Sequence, residues 1–211
     1  MDVTGPYIDI SPVLRPGIAV FPGDTPFERN INMSFTKGQH LDLSEMKTTL
    51  HVGAHTDAPS HYHGDGKSIE HRSLTYYMGD CQVIEVKGNP ERILPQHVNV
   101  EITASRILFK TNSFPDPEKW NEDFSALSPE LIRFLKAKHV VLVGIDTPSV
   151  DPARDETLAS HKAIYESDMA ILEGIILTRV NPGNYQLIAL PLKIEGADAS
   201  PVRAILLPEL K

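Results

Sequence analysis

Seventeen prolines and thirteen glycines are spread over the 211 residues, and these chain breakers constrain the fold more than any other feature. Proline locks φ and removes a backbone donor, while glycine punctuates turns, so a bundle of long helices is disfavoured. The chain must instead be assembled from short elements joined by many turns. With 41% of its residues apolar it can bury a sizeable core, and its length suits one larger domain spanning 1–211.

Five segments read as strands: residues 7–10, 81–86, 140–145, 186–192 and 202–206. Each is rich in Val, Ile or Leu and bounded by turn formers. The run Val140-Val141-Leu142-Val143-Gly144-Ile145 is apolar without alternation, which predicts a strand covered on both faces. Ser128-Pro129-Glu130 opens a helix with a hydroxyl N-cap, a proline at the first helical position and an acid in the first turn. Leu131, Ile132, Phe134 and Leu135 form its apolar stripe. A shorter helix is expected over 73–78, stopped by Gly79, and a third over 157–167, carrying His161. Loops are expected at 12–26, 61–71 and 112–121. More strands than helices predict an α/β fold, a mixed sheet core with few flanking helices.

The formal net charge is −8 with histidine neutral, and no run of Lys and Arg appears. Nucleic acid is therefore not an expected partner, because a phosphate backbone needs a basic face. Cys81 is the only cysteine, which precludes an intramolecular disulfide. Residues 1–9 have neither a basic n-region nor an apolar h-region, so no secretory leader is expected. The longest apolar runs fall far short of the roughly twenty residues that span a bilayer. These features together lead us to expect a cytoplasmic protein with no membrane partner.

The chemistry is concentrated in His51-Val52-Gly53-Ala54-His55-Thr56-Asp57-Ala58-Pro59-Ser60-His61. His51, His55, Asp57 and His61 are all odd-numbered and share one face of an extended chain. On a helix Asp57 would be turned roughly 240° from His51, and Gly53 and Pro59 disfavour a helix. The segment is expected to be a strand running into a loop, presenting imidazoles and a carboxylate together. Two histidines and a carboxylate suit zinc or another first-row divalent ion, with room left for water. The lack of cysteine ligands argues against a closed structural zinc site. His63 and His71 follow as loop residues with a potential part in substrate binding, while His40, His97 and His139 carry no local signal.

The pattern His51-x-Gly53-x-His55-x-Asp57-x-Pro59-x-His61 resembles that of the cyclase-like metal hydrolases, which include the bacterial kynurenine formamidases (arylformamidases). The similarity runs nearly end to end. It takes in Asp9-Ile10-Ser11-Pro12, Phe21-Pro22-Gly23-Asp24-Thr25-Pro26-Phe27 and Gly144-Ile145-Asp146-Thr147-Pro148-Ser149-Val150-Asp151. It continues through Met169-Ala170-Ile171-Leu172-Glu173-Gly174 and Leu190-Pro191-Leu192-Lys193. The resemblance implies a cyclase-like swivelling β/β/α fold, a homodimer whose long N-terminal loop crosses to the partner, and two divalent metal ions per subunit. Zinc is the first expectation, with manganese or another divalent ion as alternatives. By the same resemblance, His51, His55 and Asp57 hold the first ion, Asp57 bridges to the second, His161 binds the second, and Glu173 completes the pair. Read alone, His161 and Glu173 would pass for a surface helix residue and a stray buried acid. Two positions depart from the family: Ala54 stands where Thr is common. Phe21 stands where many members have a tryptophan in the substrate pocket, keeping a stacking face but giving up the indole N–H.

The resemblance further implies hydrolysis of a small aryl formamide, N-formyl-L-kynurenine, to L-kynurenine and formate, a step of tryptophan catabolism in the kynurenine pathway. Metal coordination lowers the pKa of water to roughly 7. His61 lies on the ligand face but past Pro59, which makes it the candidate proton shuttle, with metal ligation as the rival role. Phe21 would hold the anthraniloyl ring, and Phe27 would either join it or belong to the core. Two other readings use the same residues. One is a related enzyme acting on a cyclic amide or lactone, as isatin hydrolases do; the other is a non-catalytic metal-binding protein with no use for His61.

Overall fold

Short apolar runs between turn formers pair into one seven-stranded mixed sheet in the computed structural model, which describes residues 7–208. Of the opening stretch read for a leader, residues 1–6 lie outside the described residues. In chain order the elements are β1 (Ile8–Asp9), β2 (Glu28–Met33), β3 (Leu43–Lys47), β4 (His55–Asp57), helix α1 (Pro59–Tyr62) and β5 (Met78–Glu85). Next come β6 (Arg92–Ile93), β7 (Arg106–Lys110), β8 (Ala126–Leu127), α2 (Pro129–Lys136) and β9 (Leu142–Ile145). The chain ends through α3 (Ala159–Glu166), β10 (Ala170–Leu172), β11 (Gly183–Ile188), β12 (Ala199–Pro201) and β13 (Ile205–Pro208). The large sheet runs β1-β13-β11-β5-β7-β9-β10. Its β5-β7-β9-β10 half is parallel, and β11, β13 and β1 extend it antiparallel.

The central strands bury both faces, as the unbroken apolar run of β9 predicts. Leu108 of β7 and Leu142 of β9 face one core cluster, with Cys81, Val83 and Leu187. Ile107, Phe109, Val143 and Ile145 face the other, against Leu131, Ile132 and Leu135 of α2 and Ile164 of α3. The α2 start follows the sequence signal: Ser128 Oγ accepts from Leu131 N at 3.1 Å and Pro129 opens the first turn. Such a cap is worth about 1 kcal/mol. The mixed α/β domain with few helices is the architecture the composition called for, and no described helix is long and apolar enough to cross a membrane.

Local expectations fail in four places, each for a traceable reason. The helix expected over 73–78 is only a 3-10 turn at Leu74–Tyr76, and the chain is already in β5 by Met78. Gly79 does not stop a helix; it lies inside that strand at φ +127, where the Arg106 guanidinium would crowd any Cβ at 2.9 Å. The strand expected over 186–192 ends at Ile188: Ala189 N still bonds Tyr77 O beside the Ile188–Met78 pair, but Leu192 N is turned to Ser200 Oγ. Likewise Val202 leaves the sheet because its N–H goes to Ala54 O at 2.9 Å. Finally, the extended run expected over 51–61 is not formed. Only His55–Asp57 is a strand; Gly53 turns the chain at φ +60, and Pro59 opens α1 at the first helical position, where its missing N–H is not required.

A second strand pair, β4 with β12, and the isolated bridge between His55 and Glu173 bring the 51–61 segment against the end of β10. The close approach depends on Gly174, at φ +64, where an added Cβ would lie 2.1 Å from Gly53 O. We therefore expect Gly174→Ala to cost about 2 kcal/mol or more, from left-handed strain plus the clash. Thermal unfolding of the two proteins checks this, and an unchanged midpoint would contradict it.

Candidate metal centre

The parallel strands deliver their carboxyl ends to one place. Thr111 and Asn112 follow β7, Asp146 follows β9 and Glu173 follows β10, and Asn112, Asp146 and Glu173 line a cavity of about 460 Å³ there. Loops at the carboxyl ends of parallel strands are the usual place for a ligand in such sheets. His51, His55, Asp57, His61, His161 and Glu173 all line this cavity. Asp57 and Glu173 are buried to 1% and 2% exposure, which is costly for ionised carboxylates unless positive charge or donors compensate.

Each of three histidines uses one ring nitrogen as an anchor and turns the other toward these carboxylates. His55 Nδ1 lies 2.9 Å from Gly53 O, and a carbonyl can only accept, so that nitrogen carries the proton. His55 Nε2 then sits 3.1 Å from Glu173 Oε2 and 3.5 Å from Asp57 Oδ1. His161 Nδ1 is anchored on Asp151 Oδ2 at 2.8 Å, leaving Nε2 at 3.3 Å from Asp57 Oδ2 and 3.9 Å from Glu173 Oε1. His51 Nε2 is anchored on Asp198 Oδ2 at 2.9 Å, with Nδ1 at 3.0 Å from Asp57 Oδ1. Anchoring the far nitrogen in this way is the arrangement that orients histidine ligands around metals.

The donor set fits a cation on independent grounds. His55 Nε2 is buried and has no hydrogen-bond partner, so an imidazole lone pair confronts carboxylate oxygens of Glu173 and Asp57 with nothing positive between them. Ligand atoms group as His51, Asp57 and His61, and as His55, Asp57 and Glu173, sharing Asp57. This differs in detail from the grouping implied by resemblance, which put His51 and His55 together and left His61 out. Burial pulls the His51 imidazole down, but attraction to Asp57, with Asp198 and Glu173, raises it to about 10. His161 is likewise lowered by burial and lifted to about 10 by Asp151, Asp57 and Glu173. Burial pushes the Asp57 carboxyl up, yet His51, His161 and His55 hold it well below the usual range.

Asp151 and Asp198 have no role assigned from sequence: Asp151 closes the Gly144–Asp151 motif without a ligand signal, and nothing local marks Asp198. Asp151 accepts from the backbone N–H groups of Ser160 and His161, capping the first turn of α3, and also orients the His161 ring and pairs with Arg92. One carboxylate thus sets both the helix start and the imidazole direction. Burial pulls Asp151 up, and the His161 and Ser160 donors outweigh it, keeping it far below its ordinary value.

Aromatic side chains wall the cavity. Phe21 is 37% exposed and lines it, and the only tryptophan, Trp120, packs edge-on against Phe21 at 5.0 Å. Phe27 belongs to a small core cluster with Ile18 and Val52, so of its two expected roles it takes the structural one. His63 stacks on Tyr165 at 3.8 Å, and His71 is exposed beside Ser68; neither lines the cavity.

Comparison with known proteins agrees with this geometry. The chain belongs to the cyclase family: the family model described as "Putative cyclase" matches residues 8–152. Within it, the kynurenine formamidase of Bordetella petrii is 42% identical over 200 residues, covering 94% of this chain and 96% of that one. A solved structure described as a "potential metal-dependent hydrolase with cyclase activity" superposes with a TM-score of 0.83 at 26% identity, covering 97% of this chain and 98% of the other. Isatin hydrolase A from Ralstonia solanacearum shares the fold, with a TM-score of 0.80 at 21% identity over 96% of this chain and 92% of its own.

Two outcomes follow from the anchored histidines. If His51 and His161 hold a divalent ion, it displaces their protons, so metal binding should release protons, and affinity should rise with pH from neutrality toward about 10. Calorimetry in buffers of different ionisation enthalpy counts those protons; a pH-independent affinity would contradict the geometry. Asp151→Asn should weaken metal binding by roughly 10- to 100-fold, read by competition with a chelator, while α3 keeps most of its helical signal.

Proposed function

We propose that this chain is a metal-dependent arylformamidase that hydrolyses N-formyl-L-kynurenine to L-kynurenine and formate. His51, His55, Asp57, His161 and Glu173 would hold two divalent ions, zinc foremost and manganese as alternative, and His61 would carry the proton. The observation that carries this reading is the partnerless His55 Nε2 facing Asp57 and Glu173. It sits in an aromatic-walled cavity of a chain 42% identical to a kynurenine formamidase.

In the reaction the oxygen of water bonds to the formyl carbon, the C–N bond breaks, and the departing aniline nitrogen takes a proton. Divalent ions, when bound, bring a water acidic enough to act near neutral pH and polarise the formyl oxygen. The chain's own groups do the remainder. Glu173 is fixed by Val150 N, which donates to Oε1 at 2.7 Å. His61 lines the cavity with its side chain 35% exposed and its Nδ1 3.6 Å from Asp198 Oδ2. That leaves Nε2 to take a proton from water and give it to the aniline nitrogen. Phe21 and Phe114 offer apolar contact to the substrate ring.

A second role for His61 has an observation in its favour: its ligand atom falls within reach of His51 and Asp57. Substitution separates the two. As a shuttle, His61→Ala keeps its metal and loses turnover by on the order of 10²–10⁴; loss of metal together with activity would make His61 a ligand. Stripping the protein with a chelator should abolish formate release from N-formyl-L-kynurenine, and reloading zinc or manganese should restore it. Faster turnover of isatin than of the formamide would favour the cyclic-amide reading instead.

A cytoplasmic homodimer completes the proposal. The β2–β3 hairpin stands away from the cores with Ile31, Phe35, Leu43 and Met46 exposed, and an isolated two-stranded hairpin is at best marginal in water. Ile31→Lys with Met46→Lys should convert a dimer to a 23.4 kDa monomer by light scattering. An unchanged mass would remove the hairpin from the interface.

A further inference from the structure

The aromatic wall of the cavity is held from behind. Phe21 and Phe114 line the cavity, whereas Trp120 does not. Trp120 meets both rings edge-on, at 5.0 Å from Phe21 and 6.0 Å from Phe114. It also meets Phe124 edge-on at 6.1 Å, and Phe124 is buried to 2% exposure. The residue after Phe124 is fixed in turn: Ser125 N donates to Ser113 Oγ at 2.9 Å, and Ser125 O accepts from Thr147 Oγ1 at 3.2 Å, just past the end of β9. A line of edge-on contacts therefore runs from the body of the domain through Trp120 to the rings at the cavity.

Phe21 depends on that support. It is partly exposed and starts a tight turn, closed by Asp24 N on Phe21 O at 2.9 Å. Among the described residues, Trp120 is the one aromatic ring packed on it. The loops that carry the two residues are joined by Ala19 N to Pro117 O at 2.8 Å and by the Arg15–Glu118 ion pair, so their relative position is set by backbone as well as by rings. The indole gains nothing polar from this place. Its Nε1 is buried with no hydrogen-bond partner among the described residues, a cost that phenylalanine would not carry. What the position uses is a large, rigid aromatic edge.

Resting on the formamidase reading, in which Phe21 contacts the substrate ring, we infer that Trp120 is a positioning residue for substrate binding: it holds the Phe21 ring against the aryl group of the formamide. It lies outside the cavity lining that contains the proposed metal ligands and His61. Its effect falls on KM and spares kcat, because contact with the ring is made alike in the ground state and the transition state.

A double-mutant cycle on the metal-loaded protein with N-formyl-L-kynurenine tests this. Trp120→Ala should raise KM by roughly fivefold or more and leave kcat within about twofold. The same substitution in Phe21→Ala should raise KM by less than about twofold, since the ring it supports is gone. Trp120→Phe keeps an aromatic edge and should hold KM within about threefold. A misfolded fraction lowers apparent kcat and leaves KM unmoved, so the KM comparison reads ring position; Trp120→Leu takes the place of Trp120→Ala if that variant does not fold. Equal rises in KM in both backgrounds, or a fall in kcat at unchanged KM, would overturn the role of Trp120 and leave the formamidase reading intact. So would a rise in Trp120→Phe as large as that in Trp120→Ala. No formate release by the unaltered protein would remove both.

Discussion

Two carboxylates, Asp57 and Glu173, are buried side by side among three histidines, and that concentration of charge is the constraint around which the rest of the structure is arranged. Ionised carboxylates leave water at a cost of several kcal/mol each unless they are compensated. Protons on His51 and His161 provide part of the compensation in the metal-free protein, as their raised pKa values show. His55 Nε2, facing Glu173 Oε2 at 3.1 Å, is left without a hydrogen-bond partner. A divalent cation satisfies the lone pairs and the charge at once, which is why the site's geometry is better explained by metal than by a network of hydrogen bonds alone.

The fold serves this site through its framework more than through its hydrophobic cores. Glu173 is presented by the carboxyl end of β10, and His55 by a bridge to that same residue, so two of the proposed ligands are locked through backbone hydrogen bonds of 2.9 and 3.1 Å. The outer anchors, Gly53 O, Asp151 and Asp198, then choose which ring nitrogen faces inward. Because Asp151 also caps α3, the helix that carries His161 and the orientation of its ring are set by one side chain. Loops 12–26 and 112–121 close the aromatic side, tied by Ala19 N to Pro117 O and by the Arg15–Glu118 ion pair. Stability and ligand geometry therefore share the same bonds.

Much of this is legible in the residues, though not through a shared strand face. The odd-numbered spacing of His51, His55, Asp57 and His61 draws attention to the right side chains, yet they do not share a strand face. Gly53 in the left-handed region and Pro59 at the start of α1 bend the chain so that the side chains meet from a turn, a strand and a helix. The central strand β7 gives only a weak strand signal because charged residues stand at both ends of Arg106-Ile107-Leu108-Phe109-Lys110. Both are buried by hydrogen bonds to distant carbonyls, Arg106 Nε to Tyr76 O and Lys110 Nζ to Val180 O. Periodicity cannot register such partners, since they are supplied only by the folded chain. For the same reason Asp151, Asp198 and Trp120 carried no local signal, while the caps of α2, which depend on near neighbours, were read directly.

The central claim is that divalent ions sit among His51, His55, Asp57, His161 and Glu173. Anomalous diffraction from crystals of the zinc-loaded protein, collected on either side of the zinc edge, tests it most directly. The account predicts two peaks, each about 2.0–2.2 Å from imidazole nitrogens or carboxylate oxygens of these residues, with Asp57 touching both. Zinc-loaded crystals with no anomalous density between Asp57 and Glu173, and these side chains joined only by hydrogen bonds, would contradict it.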